Sequence, residues 1–290
     1  MEKIKKISIN DKDYPACLKK ISDAPKILFV QGKLIPEEKC FAVVGTRIPS
    51  SYGKQVAAEI SADLANAGLT IVSGLAPGID TISHQAVVEE NKRTVAVLGT
   101  GLDESSIYPK ENIPLTRKII ESGGCLISEY PAGTRGTQFT FPKRNRIISG
   151  LSLGVLVVEA KQKSGALITA SWAKSQKRKV FAVPGSIYSS VSKGSHYLLK
   201  NGAQLTENAA DILKELNLGL TENLAEKIII GENEEEQLIL AALKEGALYI
   251  DKIIEKTKLP ARTVAATLAI LEIKGIVKNI GGNIYGINHK

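Results

Sequence analysis

The sequence predicts an α/β domain built on a doubly wound, mostly parallel sheet, followed by a small second domain of three helices and a hairpin. Three observations carry this. Short, near-continuous apolar runs alternate with stretches of helical spacing from Phe41 to Val183, the pattern of parallel strands covered by helices on both faces. Glycine-rich turns follow most of these runs. After residue 232 the pattern changes to three helical segments and two short strand-like runs.

Residues 1–40 read as a short capping segment of the main domain, with Asp13-Tyr14-Pro15 and Asp23-Ala24-Pro25 turns and a first strand at Ile27–Val30. From 41 to 216 the elements repeat. Phe41–Val44 is a buried strand ending in Gly45-Thr46-Arg47, and a helix follows from about Tyr52 to Ala67. Leu69–Val72 leads into Ser73-Gly74-Leu75-Ala76-Pro77-Gly78-Ile79-Asp80 and a helix to about Glu90. Thr94–Leu98 ends in Gly99-Thr100-Gly101, a helix spans Ile113–Glu121, and Cys125–Ser128 is the next strand. Gly154–Val158 runs through Gly165 into a helix to about Gln176, and Val180–Val183 ends in Pro184-Gly185. Residues 217–232 read as a linker. In 233–290, helices at Glu234–Leu243, Ile250–Thr257 and Ala261–Lys274 precede a hairpin at Ile276–Ile287, which together describe a winged helix.

The glycine turns set the functional expectation. Glycine lets a backbone approach a ligand closely, and strand–turn–helix geometry points N–H groups and a helix N-terminus at one anion. Ser73, Gly74, Gly78, Gly45, Thr46, Ser164, Gly165 and Thr169 are therefore candidate phosphate contacts on one rim of the sheet. No dinucleotide fingerprint or Walker A loop is present. Arg47, placed just beyond a strand end, is expected on phosphate. Phe139-Thr140-Phe141-Pro142-Lys143-Arg144-Asn145-Arg146 combines aromatics with cations, the composition of a single-strand surface. If that segment is extended, its two phenylalanines point the same way; in the alternative, the phenylalanines are core residues and the charges cap the following helix. Lys110, after Tyr108-Pro109, is a further candidate. Asp80 suits a helix cap better than a catalytic acid, and His84 suits a satisfied helix position better than a general base. Glu129 and Glu159 follow strands without a companion that fixes a role.

Composition narrows the classes. The three cysteines and three histidines are scattered, so neither a metal site nor a disulfide framework is expected. No apolar run approaches a membrane span and no signal peptide is evident, so a cytoplasmic protein without membrane attachment is expected. Residues 1–216 carry a net charge of +9 and residues 217–290 a net of −1. The basic surplus on the first domain favours a polyanionic partner. The third helix of the second domain offers only Arg262 and Lys274, set against Glu272. That argues for a protein-contact or regulatory module and against a transcription factor with a sensor domain.

With these residues in view the chain resembles the DprA/Smf family, the DNA-processing proteins of bacterial natural transformation. The likeness covers nearly the whole chain. It rests on Val44-Gly45-Thr46-Arg47, the 73–80 stretch with His84, Gly99-Thr100-Gly101-Leu102-Asp103 with Tyr108-Pro109, and Ser128-Glu129. It continues through residues 141–152 from Phe141-Pro142-Lys143-Arg144-Asn145-Arg146, Val158-Glu159-Ala160, Ser164 to Ala170 and Val183-Pro184-Gly185. Two departures are visible. The helical N-terminal domain of many members has no counterpart in the first forty residues, and Ser83 stands where alanine usually precedes the histidine. The resemblance implies an extended Rossmann-like domain that binds single-stranded DNA without sequence preference and forms homodimers. It also implies loading of the RecA recombinase onto DNA coated with single-strand binding protein. Arg47, Lys110, Lys143, Arg144 and Arg146 match the family's basic DNA contacts. No catalytic residue, metal or cofactor is implied. The alternative is an enzyme on a nucleotide or sugar phosphate, like the phosphoribohydrolases, although their PGGxGT motif is absent.

Overall fold

The computed structural model describes residues 3–218, 233–243 and 246–287, and the chain divides into two compact units, Met1–Leu224 and Ala225–Lys290. Most of the linker expected at 217–232 lies outside the described residues.

Among its described residues the first unit holds nine strands: β1 (Lys5–Ser8), β2 (Ile27–Gly32), β3 (Cys40–Val44), β4 (Thr70–Ser73), β5 (Thr94–Leu98), β6 (Cys125–Ser128), β7 (Ser152–Val157), β8 (Lys179–Ala182) and β9 (Gln204–Leu205). They form one sheet in the order β1-β2-β6-β5-β4-β3-β7-β8-β9. Strands β3 to β9 pair in parallel, whereas β2 runs antiparallel to both β6 and β1. The helices are α1 (Ala16–Lys19), α2 (Ser51–Asn66), α3 (Ile79–Glu89), α4 (Ile113–Glu121), α5 (Thr140–Leu151), α6 (Gly165–Ser175), α7 (Lys193–Lys200) and α8 (Ala209–Glu215).

Strand β3 shows why two helical layers are needed. All five of its residues are buried. Because successive side chains alternate across a sheet, Cys40, Ala42 and Val44 join the core beneath α1, α5 and α6. Phe41 and Val43 join the core that holds Ala57, Ile60 and Leu64 of α2 and Ile212 of α8. In the second layer Phe41 meets Phe181 edge to face at 5.6 Å between centroids. The chain winds outward from β3 through β4, β5 and β6, then crosses back by α5 to β7 on β3's other side. Strand order therefore reverses between β3 and β7, and a crevice opens beyond their carboxyl ends.

Two stretches are richer than the sequence reading. Residues 1–40 contain an edge strand, β1, whose charged Lys5-Lys6 half hides the alternation. Residues 186–216 contain α7, β9 and α8, the last opened by a reciprocal cap between Asn208 and Asp211.

In the second unit α9 (Glu234–Leu243), α10 (Ile250–Thr257) and α11 (Ala261–Ile273) surround a core of Ile239, Leu243, Ile253, Val264 and Leu268. A three-stranded sheet of β10 (Leu248–Tyr249), β12 (Ile284–Ile287) and β11 (Val277–Gly281) completes the winged helix.

Candidate nucleic-acid interface

A cleft of about 520 Å³ lies at the switch point, lined by Gly45 and Arg47 after β3, Ala76 and Asp80 after β4, and Ser164, Gly165, Ile168 and Thr169 at the start of α6. Its floor is one face of α5. Phe141, Arg144, Asn145 and Ile148 all line it, and their i, i+3, i+4, i+7 spacing is that of a single helical stripe. The segment 139–146 is thus helical rather than extended from Thr140 onward, and its two phenylalanines part company. Phe139 is 75 % exposed, whereas Phe141 packs on the Tyr108 ring and lies where a Gly99 Cβ would otherwise be, 2.9 Å away.

Arg47 is the exposed cation of this cleft. Its guanidinium stands 5.8 Å from the Phe141 ring centroid, a cation–π contact that orients it while its N–H groups have no acceptor among the described residues. The turn carrying it is clamped from below. Ile79 N donates to Thr46 O at 3.2 Å and Thr46 N to Glu159 O at 2.7 Å. Gly78, at φ 84°, is glycine for two reasons: the left-handed backbone and the Arg47 carbonyl carbon 2.7 Å from where a Cβ would sit.

The stretch 73–80 thereby corrects an expectation. Its backbone N–H groups do face an anion, but that anion is the chain's own Asp80. Gly74 N donates to Asp80 Oδ2 at 3.0 Å, and the Ala76 N–H also holds the carboxylate. Ser73 donates its hydroxyl to Val43 O. Ser73, Gly74 and Gly78 do not line the cleft, and Thr46 is buried with Oγ1 accepting from Ile48 N. At Gly74 a Cβ would lie 2.5 Å from Arg144 Nη1, so this glycine makes room for an arginine and not for a ligand. Gly165 differs. Nothing lies within 4 Å of its would-be Cβ, so the open space belongs to the cleft.

The basic run divides in the same way. Arg144 is buried in the cleft floor, donating to Gly74 O at 2.6 Å and to Val97 O, with Nε on Asn145 Oδ1. Burial lowers its pKa to about 10, Asp80 acting against that and Arg47 adding to it, so it stays charged at neutral pH. Burial raises Asp80, with Arg144 and the two N–H groups pulling it back. Arg146, expected on DNA, is 2 % exposed and points away from the cleft, paired with Asp23 at 2.7 Å and Glu129 at 2.8 Å. It braces the fold. Lys143 is exposed, 3.6 Å from Glu129, and Lys110, also exposed, opens a 3-10 turn outside the cleft. Asn145 bridges α5 to α6 through Gly165 O at 3.2 Å, and Ser164 caps α6 by accepting from Ala166 N at 3.3 Å.

The acidic and histidine candidates are held inside the fold. Glu159 takes Ser50 N at 2.9 Å and Ser50 Oγ at 2.5 Å, fixing the start of α2. His84 is wholly buried against Thr94 Oγ1 at 2.8 Å. Burial first, then Arg144, holds its pKa down to about 3, so it is neutral and not a base facing the cleft. Among the described residues no group of three or more His, Cys, Asp or Glu could hold a metal ion, and no helix is long and apolar enough to cross a membrane. Gln138, Ile148 and Ile168 line the cleft and were missed in the sequence. The signal for Ile148 was the helical stripe from Phe141; Gln138 carried none.

The family model described as DNA recombination-mediator protein A matches residues 5–217, and the DprA winged helix domain matches residues 225–283. Protein Smf of Escherichia coli is 38 % identical over 277 residues, 93 % of this chain and 74 % of its own. The DNA processing protein DprA of Bacillus subtilis is 44 % identical over 215 residues, 73 % of this chain and 71 % of its own. The X-ray structure of DprA from Streptococcus pneumoniae superposes with a TM-score of 0.69 at 44 % identity, covering 73 % of this chain and 74 % of that one. A Helicobacter pylori DprA structure, described for its single-stranded DNA binding mode, gives 0.66 at 28 % identity, covering 74 % and 96 %. With both of its units matched, this chain belongs to the DprA/Smf family of DNA recombination-mediator proteins.

Proposed function

We propose that the first unit binds single-stranded DNA without sequence preference and that its phosphodiester backbone runs through the switch-point cleft. The observation that carries this is Arg47: an exposed guanidinium, aimed by Phe141, facing the open Gly165 end of α6. Guanidinium, helix N-terminus and a partly exposed aromatic suit a phosphate with its base unpaired, and a stacked duplex offers no free base. The Helicobacter pylori relative is described for binding single-stranded DNA, which supports the reading.

Such a cleft holds a phosphodiester without breaking it. Asp80, Glu129 and Glu159 each carry structural hydrogen bonds, and His84 is buried, which suits positioning groups better than a general base. This disfavours the nucleotide-hydrolysing alternative. On the same reading the protein works in the cytoplasm as a homodimer, shelters incoming DNA, and passes strands coated with single-strand binding protein to RecA. The winged helix serves protein contact. The exposed face of α11 presents Arg262, Ala265, Ala266, Ala269, Ile270 and Ile273, a single cation among apolar side chains and a poor match for phosphates.

Fluorescence anisotropy with labelled oligo-dT and a duplex competitor tests the main claim. Preference for the single strand is expected. Failure to bind oligo-dT at low salt, or equal affinity for duplex, would sink it, and undiminished duplex binding by fragment 225–290 would overturn the role given to the winged helix.

A further inference from the structure

The rim of the sheet continues past Arg47 toward β8 as an exposed apolar strip that the cleft does not use. Ile48, next in chain to Arg47, is 78 % exposed, and Tyr188 is 93 % exposed; Tyr52 and Ile187 are also open to solvent. The strip is continuous with the cleft. Tyr52, in the first turn of α2, donates its hydroxyl to Pro184 O at 2.9 Å, which joins the turn bearing Arg47 to the loop at 184–192.

That loop is held firmly although its side chains are bare. His196 Nε2 donates to Gly185 O at 3.0 Å, Lys193 Nζ to Ile187 O at 2.9 Å, and Tyr188 N to Ser186 Oγ at 3.3 Å. Ala160 N donates to Val191 O and Gly194 N to Ala160 O, each at 2.7 Å, so the loop is also fastened to the segment that leads into Ser164-Gly165. A ring on so fixed a backbone needs little ordering when a flat partner settles on it, which is what a stacking platform requires. Cations flank it. Lys161 and Lys163, in the segment before α6, and Lys193, at the start of α7, are exposed. Burial first, then Glu159 and Glu207, raises the pKa of the Tyr52 hydroxyl.

We propose that the DNA strand leaves the Arg47 cleft over the carboxyl end of β8, with a nucleobase stacked on Tyr188 and the phosphates following the lysines. This rests on the single-strand reading above. The occupant is a nucleobase because the strip continues the cleft, is flanked by cations, and ends on an aromatic ring.

The test measures binding of the full chain to labelled oligo-dT of about four and about twenty nucleotides, lengths bracketing one site, for wild type, Tyr188→Ala and Tyr188→Phe. The quantity read is the ratio of long-oligomer to short-oligomer affinity. It is expected to fall about 5- to 30-fold in Tyr188→Ala and to stay at the wild-type value in Tyr188→Phe. Binding of both lengths by wild type with an unchanged ratio in Tyr188→Ala overturns the path alone and assigns the strip to a protein partner. A Tyr188→Phe variant as impaired as Tyr188→Ala overturns stacking. Failure of wild type to bind either length overturns the single-strand reading as well.

Discussion

Arg47→Ala separates a binding role from a structural one more cleanly than any other substitution in this cleft. The Arg47 guanidinium touches the Phe141 ring at 5.8 Å and has no hydrogen-bond acceptor in the described structure. Its removal should therefore cost the fold little, about 0.5 kcal/mol or less. Binding should suffer much more. A charge-assisted hydrogen bond contributes about 1.5–3 kcal/mol, which corresponds to about 10- to 150-fold weaker affinity. Loss of one phosphate contact should also make the slope of log affinity against log salt shallower by about 0.7. Anisotropy of labelled oligo-dT across a potassium chloride series, with a thermal melt of each protein, reads all three quantities. Wild-type affinity and slope in the variant would refute the placement of phosphate at Arg47. A large drop in melting temperature would refute the claim that the fold does not need it.

Three further outcomes follow from the same geometry. Arg146→Ala leaves Glu129 with only Lys143 at 3.6 Å and opens a cavity where a buried guanidinium was, so urea denaturation should show a loss of about 3 kcal/mol; an unchanged midpoint would remove its bracing role. Gly165→Val adds bulk into open cleft and should weaken DNA binding several-fold at wild-type stability, whereas Gly74→Ala drives a Cβ against Arg144 and should cost about 1–3 kcal/mol of stability. The reverse pattern in melts and anisotropy would exchange their roles. His84 has a folded pKa near about 3 against about 6.5 in the unfolded chain. Below about pH 6.5 the unfolded chain thus binds the additional proton, and stability is lost as the pH falls, at a rate approaching about 1.4 kcal/mol per unit. His84→Gln should flatten that dependence between about pH 6 and 5, and a variant with the wild-type slope there would count against a buried neutral imidazole.

The doubly wound sheet was legible because its strands are near-continuous apolar runs, and the glycine turns marked the carboxyl rim where the cleft opens. Arg47 was legible for the same reason, as a cation directly after a strand end. The edge elements were not. Strand β1 carries Lys5 and Lys6, and β9 is two residues long, so neither leaves a period to detect. The cleft floor was hidden by a choice between periods: 139–146 satisfies an alternating reading through its two phenylalanines, and only extension to Ile148 shows the helical stripe. Pro142 sits within the first turn of α5, where the lack of a backbone N–H costs nothing, and so could not decide between them.

The same local motifs also show why composition overstates contact with DNA. Four positively charged or glycine positions expected on phosphate have work within the chain itself: Gly74 accommodates Arg144, Gly78 shapes the Arg47 turn, Arg144 spans Gly74 and Val97 carbonyls, and Arg146 pairs with acids. The reason is electrostatic. A turn that gathers backbone N–H groups next to an arginine is a site of positive potential with or without a ligand, and Asp80, six residues downstream of Gly74, lies close enough to occupy it. With that site occupied from within, an external phosphate is left the rim that Asp80 does not reach, between the exposed guanidinium of Arg47 and the open backbone at Gly165.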